Sequence, residues 1–583
     1  MAYFLRKEKR KNGVYLQMYE NYWDKDVKQG RTRHVESFGF VEKLTSAEMP
    51  DPVQYYTEYV RQKEEERLTA IKNDTRPRIF DQSVEKNAGH FLVHTLLEEL
   101  EVKEVIDILS SVKKFQFSVY DMMERLISAR IIDPCSKSRT ASAVFPLLLS
   151  EEKISEDQVY DGCFFIGESY EKYIELFNKQ YEKIYGRSYD RVFFDCTNYY
   201  FEIDLPDEDK QKGPSKENRN EPIIGQALLL DADLMPLGMK MYPGNKSEKP
   251  YIRNAVEDMK RRYKVNGRTV QVADKGLNCA RNIYAAAVEG NDGYIFSKSV
   301  HGRALSEKEK KWVLLEDSDA NRYEEHRNEA GKLLYKTKSC IDEFSYSFKD
   351  VDPETGVETV KSFSVREKRV VSYNPSLAAK QKAEIRKQVE KVSGCITYKK
   401  IAREDLGDAV KYLNITNIDG AGKKVTPSVC INTEKVEEDL RFAGYNLLVT
   451  SEVDMPTDEI YKTYHGLWRI EESFRITKSF LDARPVYVQK KETIYGHFLI
   501  CYLSLFLLRI LEFKCFGSKV NSSEIVRFIR DFRIAKRDEE TWINLAHDRE
   551  AVEKVKEATG ITTLDALYLT NTEVKNLFEK TIL

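Results

Sequence analysis

The sequence predicts an α/β protein built on a mixed sheet, with helical regions at either side and a β-rich insertion. Three observations predict it. Between residues 190 and 300, aromatic and β-branched runs alternate with helix-period segments. Residues 300–440 break that rhythm with an alternating hairpin, and the segments before 190 and after 495 carry a period near 3.6. At 583 residues the chain has room for about four domains of roughly 150 residues each. With 41% hydrophobic and 32% charged residues it is ordinary globular material, which excludes disordered, collagen-like and coiled-coil classes.

Residues 1–75 open with strands rich in Tyr, Lys and Arg, in which Val14, Leu16 and Met18 share one side, followed by a charged linking helix over 51–73. Nine Lys/Arg against four Asp/Glu between Met1 and Val35 give these strands a basic face. Residues 76–185 read as a helical domain, expected to bind DNA; the pattern SVYDMMERLISARIID stops at Pro134. RVFFDCTNYYFEI (191–203) is a strand, and 223–244 reads as two strands joined near Asp231–Pro236. SEKPYIRNAVEDMKRRY is a helix, TVQVAD (269–274) a buried strand, ARNIYAAAVEG a helix and GYIFSKS a strand. This β-β-β-α-β-α-β order over 186–300 is that of an RNase H-like mixed sheet. Residues 301–440 read as an inserted, largely β domain, with Phe344, Tyr346 and Phe348 alternating before a turn through Asp352 to Gly356, and a charged helix SLAAKQKAEIRKQVEKV. Residues 441–495 return to the core with strand YNLLVTS and a long helix from about 456 to 480. Residues 496–583 read as helical.

Several function classes drop out. The longest apolar run, Phe498 to Leu508, is closed by Arg509 and is too short for a bilayer of about 30 Å, so it reads as a buried core helix and no membrane partner is expected. Nine cysteines stand singly without a CxxC pair, which points to a reducing cytoplasm rather than disulfides or structural zinc. No apolar stretch follows the basic N-terminus, so no signal peptide is expected. A net charge of −2 leaves any polyanion surface to local clusters.

Three acidic residues stand where chemistry could use them. Asp195 lies inside an apolar strand, where a carboxylate needs a cation, hydrogen bonds or a strand end. Asp274 ends strand TVQVAD before Lys275-Gly276, and Glu471 sits in the helix YHGLWRIEESFRITK. In an RNase H-like sheet those three elements converge, and carboxylate oxygens from separate elements suit hard divalent ions. The bland readings are a hydrogen-bonded strand aspartate, a turn former and a solvated helix face. Trp312 reads as core packing, His465 as helix surface, and the cations Lys260, Arg261, Arg262 and Lys264 as a solvated helix end.

The ordered blocks Asp195-Cys196-Thr197, Asp274-Lys275-Gly276 and Tyr464, Trp468-Arg469-Ile470-Glu471, Phe474, Lys478 resemble the DDE transposases of bacterial insertion sequences, in the insertion-sequence-four superfamily. GPSKENR (213–219), YPGNKSE (242–248) and RPVYV (484–488) are similar to that group too. The resemblance implies a metal-dependent DNA phosphoryl transferase that cleaves at terminal inverted repeats and joins the 3′ ends to target DNA. It implies two Mg²⁺ ions, with Mn²⁺ as substitute, on Asp195, Asp274 and Glu471; double-stranded DNA as partner; a homodimer or higher assembly on DNA; and a cytoplasmic, nucleoid-associated setting. Tyr464 and Lys478 would grip phosphates, and Arg6, Lys7, Lys9, Arg10 and Lys11 would contact the DNA backbone from the N-terminal strands. A catalytically inactive DNA-binding descendant, or an RNase H-like nuclease that cuts without joining, are the competing readings.

One position departs from the group's pattern Tyr-x2-Arg-x3-Glu-x6-Lys: Leu467 stands where the arginine belongs. On a straight helix turning about 100° per residue, Tyr464, Glu471 and Lys478 share a face. Leu467 would lie about 40° to one side of Glu471, Arg469 about 160° away, and Arg475 about 40° to the other side. Arg475 is therefore expected to supply the phosphate contact.

Overall fold

The computed structural model describes all residues except 1, 25–28, 73–84, 151–152, 204, 218–219, 302–304, 315–321, 352–354, 398–405, 419–423 and 581–583. Two compact units emerge, Met1–Gln82 and Ser83–Leu583.

In the first unit, β1 (Ala2–Arg10), β2 (Gly13–Asp24) and β3 (Gln29–Phe40) form an antiparallel meander, and the helix Pro52–Lys72 follows. Leu16 and Met18 are buried as the alternation requires, and Tyr3 donates its backbone N–H to Glu64 of the helix at 3.0 Å. The single basic face divides. Arg6 and Arg10 share a face and lie over the rings of Tyr19 and Tyr15, at 4.9 and 4.2 Å. Lys7 and Lys9 alternate to the other face, where Lys7 pairs with Leu16 across the ladder, and Lys11 sits in the turn.

The second unit begins with β4 (Glu85–Asn87) and a series of helices between Phe91 and Tyr185. They pack around the helix Lys491–Ile510, apolar on every side and buried along most of its length. Length and composition would let Lys491–Cys515 cross a membrane, yet 94% of its apolar window is buried inside the protein. Two glycines permit a close helix crossing. A Cβ on Gly496 would fall 2.0 Å from the Cys163 carbonyl, and one on Gly167 would overlap the Glu492 carbonyl, so the helix Glu156–Glu168 meets the central helix backbone to backbone.

The large sheet has nine strands in the order β10-β11-β12-β15-β9-β8-β5-β6-β7. Its centre is β5 (Arg191–Tyr200), β6 (Ile223–Leu230), β7 (Pro236–Pro243), β8 (Val270–Ala273) and β9 (Gly293–Lys298), with the helix Lys249–Tyr263 between β7 and β8. The element order is the expected one. β5, β8 and β9 run parallel, while β6 is antiparallel to β5 and to β7. Lys260 and Arg262 are not a solvated helix end, because they pair with Asp292 and Glu171.

The insertion does not keep its strands to itself. β10 (Glu324–Arg327), β11 (Leu333–Val351) and β12 (Glu358–Tyr373) continue the large sheet, since β12 pairs with β15 (Tyr445–Thr450), itself beside β9. Val370 and Val371 are buried where β12 lies against β15, whereas the distal half of the hairpin alternates between exposed and half-buried residues. The turn expected between Asp352 and Gly356 falls largely outside the described residues. The helix Pro375–Thr397 and a two-stranded ladder, β13 (Leu413–Ile418) and β14 (Lys424–Ile431), complete the segment. Trp312 packs against a small core with Val313, Val371, Phe442 and Leu447.

The C-terminal region is not wholly helical. β16 (Arg533–Lys536), β17 (Thr541–Asn544) and β18 (Tyr568–Thr570) form a small sheet with β4, in the order β18-β17-β16-β4. These strands are three or four residues long, too short for alternation to register as a pattern.

Candidate active site

Asp195 and Asp274 come together through the sheet. The parallel register pairs Phe194 with Ala273, so the next residue on each strand is one of the two aspartates. Asp195 accepts its neighbour's backbone N–H, from Cys196, at 2.7 Å. Burial raises its carboxyl to about 6 against the pull of Lys216, and the nearby charges of Glu248 and Asp274 add to the rise. Lys216 Nζ lies 3.9 Å from Asp195 and 3.3 Å from Glu248, and it donates to the Cys196 carbonyl. Against the burial that would lower it, Asp195 and Glu248 hold the Lys216 ammonium above its usual range. The Tyr464 hydroxyl donates to Asp274 Oδ1 at 3.1 Å, which fixes that carboxylate; burial, then Asp274 itself, pushes the phenol upward.

The element that carries Glu471 is not one straight helix. Thr457–His465 ends at Gly466, and Trp468–Arg475 begins two residues later. Across the junction, Leu467 N–H bonds the Tyr464 carbonyl and Ile470 N–H bonds the Leu467 carbonyl, both i to i+3 at 3.0 Å, so the chain is overwound there. Past Arg475 the turn loosens over Ile476–Phe480, where Leu481 N–H reaches the Ile476 carbonyl. Gly466 is pressed onto β5, since a Cβ there would stand 2.9 Å from the Phe193 ring. The consequence falls on Leu467, which is 8% exposed and belongs to the same core as Phe193, Ile470 and Phe474. Position 467 faces the core rather than outward, contrary to the straight-helix geometry.

Glu471 is exposed, and its carboxylate makes no hydrogen bond or ion pair among the described residues. Arg475 follows one turn on, 66% exposed, with a 3.6 Å contact to Glu472. Arg469 occupies the opposite side. It bonds Glu472 at 2.9 Å, alongside buried Arg509, which bridges Glu472 at 2.9 Å and Glu512 at 2.7 Å. That network fastens the helix to the central apolar helix. Lys478 contacts Glu217 at 3.1 Å, and burial plus nearby Lys216 lower its ammonium to about 8. Glu217 is shared with Arg484. His465 lies exposed on the helix surface, as expected; its ring packs against Tyr461, 3.9 Å between centroids, and bonds the Tyr461 carbonyl.

The structure thus brings Asp195, Asp274 and Tyr464 into contact range and sets Glu471 on the helix packed over β5. Among the described residues no three His, Cys, Asp or Glu side chains stand close enough to hold a metal ion. Arg6, Lys7, Lys9, Arg10 and Lys11 lie in the first unit. Sequence reasoning assigned no role to Lys216, Glu217, Glu248 or Arg484, although each falls in one of the blocks GPSKENR, YPGNKSE and RPVYV. Their motif membership was the available signal; their meeting around Asp195 and Lys478 depends on the folded sheet.

A family model described as the transposase DDE domain matches residues 186–507, more than half of the chain. The chain belongs to the DDE transposase family. The matched segment contains Asp195, Asp274 and Glu471, begins just before β5 and ends within the central apolar helix. It also contains the whole insertion, so the hairpin that extends the sheet is part of the transposase domain. No curated protein matches the sequence.

Proposed function

We propose that this transposase belongs to a bacterial insertion sequence of the insertion-sequence-four superfamily, cleaves DNA at the element's terminal inverted repeats and joins the 3′ ends to target DNA. The observation that carries the reading is the pair Asp195 and Asp274 on adjacent parallel strands, under a helix that bears Glu471. The strand order β7-β6-β5-β8-β9, with only β6 reversed against its neighbours, supports an RNase H-like core. The donor chemistry fits Mg²⁺ or Mn²⁺: the groups are carboxylates, and Asp195, raised first by burial and further by the charges of Glu248 and Asp274, is a carboxylate whose ionised form a divalent cation would favour. Asp195, Asp274 and Glu471 would hold two such ions, with Glu471 brought inward from its exposed position. Bound there, the ions would make water or a 3′-hydroxyl more nucleophilic and screen charge on the leaving oxygen.

The chain's own groups do the positioning. Tyr464 orients Asp274, and Lys216 holds Asp195 against its crowded neighbours. Lys478 would exchange Glu217 for a DNA phosphate, and Arg475, exposed beside Glu471, would take a second one. Arg6 and Arg10, held on tyrosine faces, present cations for backbone contacts in the first unit, as Lys7, Lys9 and Lys11 would nearby. Cutting paired ends requires at least a homodimer on double-stranded DNA, in the cytoplasm with the nucleoid.

The test uses the full chain with DNA flanking its reading frame. Asp195→Ala, Asp274→Ala and Glu471→Ala should each abolish Mg²⁺-dependent cleavage while DNA binding survives. Full cleavage by any one variant removes that residue from the site, and undiminished cleavage in EDTA rejects the metal mechanism.

A further inference from the structure

A second basic constellation lies away from the carboxylates. A cavity of about 370 Å³ opens between the turn at 133–139, the loop at 482–488 and the central apolar helix. Arg130, Lys137, Arg139, Asp482, Tyr487 and His497 line it. Lys137 is 3% exposed, and Arg130 and His497 are each 5% exposed. Their hydrogen bonds define their charge states. His497 Nε2 lies 3.0 Å from the Ala483 carbonyl, which can only accept, so that nitrogen carries the proton and Nδ1 is the acceptor. Lys137 Nζ is 3.4 Å from Nδ1 and donates to it. Burial holds the imidazole well below its usual range, so it is neutral.

Lys137 therefore spends one N–H on a neutral ring, and its other two find no acceptor among the described residues. Arg130 donates only to the Cys135 carbonyl, at 3.2 Å. Neither forms an ion pair among the described residues. Asp482, the one carboxylate in the lining, is itself pushed upward by burial against the pull of Arg130 and Arg530. Arg139, at the rim, is paired with Asp133 at 3.1 Å, so the two cations that form no ion pair, Arg130 and Lys137, face the one carboxylate and the lining is net positive. Burying cations without counter-charge is costly. An ammonium lowered by burial to about 8 is still largely charged at neutral pH, so the cost stands in the unliganded fold.

We propose that this cavity is an anion site that takes a phosphoryl group, and that in the working transposase the group is a backbone phosphate of DNA. The second half of that statement rests on the DNA-transposition reading; the first does not. Charge and depth favour a compact tetrahedral oxyanion such as a phosphoryl group, since Arg130 and Arg139 offer guanidinium donors and Lys137 a point charge. Continuity with the candidate active site favours DNA as the source. The same loop holds Arg484, which pairs with Glu217, the partner of Lys478 and the chain neighbour of Lys216. At the rim, the Tyr487 ring is 63% exposed, a surface on which a sugar or base can rest.

Calorimetry with inorganic phosphate, and anisotropy with a duplex of arbitrary sequence about 40 bp long over a range of salt, test both halves on the full chain. Wild type and Asp195→Ala should bind phosphate saturably. Lys137→Met should lose about tenfold or more in phosphate affinity, bind DNA more weakly, and show a salt slope shallower by about one. Arg139→Ala should weaken phosphate binding in the same direction; its side chain is largely exposed, so this variant decides the matter if Lys137→Met does not fold by circular dichroism. Tyr487→Ala should weaken DNA binding and leave phosphate binding unchanged. Absence of saturable phosphate binding by wild type, or wild-type binding by both cation variants, overturns the anion site. Phosphate binding lost in Lys137→Met with DNA affinity and salt slope unchanged overturns the DNA assignment. Failure of wild type to cleave element ends counts against transposition and leaves the phosphate result standing.

Discussion

Leu467→Arg would restore the arginine that the Tyr-x2-Arg-x3-Glu-x6-Lys pattern expects, and the structure predicts damage rather than gain. Leu467 is 8% exposed, packed with Phe193, Ile470 and Phe474 at a junction where Gly466 touches the Phe193 ring. Removing the leucine forfeits about 1.5–3 kcal/mol of burial. A guanidinium in its place costs several kcal/mol if it stays unpaired, partly offset if its stem can reach solvent. A net loss of about 3–5 kcal/mol is expected, against a total stability of roughly 5–15 kcal/mol. Urea denaturation of the full chain, followed by tryptophan fluorescence and circular dichroism, measures it. Leu467→Met, which conserves volume, should cost less than about 1.5 kcal/mol and keep cleavage. If Leu467→Arg unfolds within about 1 kcal/mol of wild type and cleaves DNA faster, position 467 faces DNA and the core assignment is wrong.

Three further outcomes follow from other parts of the molecule. Arg475→Ala should reduce end cleavage per folded molecule far more than Arg469→Ala, because Arg475 is exposed beside Glu471 while Arg469 is tied to Glu472; stability should show the reverse order, with the exposed Arg475–Glu472 pair worth at most about 1 kcal/mol. Equal cleavage losses, or a larger loss from Arg469→Ala, reject Arg475 as the phosphate contact. The double variant Arg6→Ala/Arg10→Ala should bind DNA more weakly with a salt slope reduced by about two, and an unchanged slope removes these cations from the DNA surface. Buried His90, lowered to about 3 by desolvation, binds its proton more readily once unfolded; its contribution is complete above about pH 6.5 and falls with pH towards 3, reaching a loss of about 2 kcal/mol at pH 5. Urea midpoints at pH 7.5 and 5 check this, and a His90→Asn variant with the same pH dependence as wild type counts against it.

The centre of the sheet was legible because each strand carries its own signal. RVFFDCTNYYFEI and TVQVAD are apolar and β-branched on both faces, as central strands covered on either side must be. The central apolar helix was legible for the same reason. What could not be read were facts of pairing and approach. Nothing in the alternation of Phe344, Tyr346 and Phe348 says that β12 will pair with β15 and so enlarge the main sheet. Lys216, Glu217, Glu248 and Arg484 are ordinary charged residues until β5 and the helix junction bring them round Asp195 and Lys478. The cavity lining is drawn from further apart still, since Arg130 and Lys137 meet the neutral His497 only when the central helix packs on the N-terminal helices of its unit.

The third block shows how a spacing rule can be useful while its geometry is wrong. On one straight helix, Tyr-x6-Glu-x6-Lys would line one face, each step of seven drifting by about 20°. In the structure the first step crosses an overwound junction and the second crosses an underwound turn, errors of opposite sign. The ends of the series still reach the same region: Tyr464 touches Asp274, and Lys478 pairs with Glu217 beside Lys216. The residue that suffers is the one inside the tightened turn. Three residues per turn rotate Leu467 away from the face it would share on an ordinary helix and into the core beneath β5's Phe193. A leucine there is consistent with that rotation, whereas Arg475, within the regular helix and one turn beyond Glu471, keeps the outward direction that a phosphate contact requires.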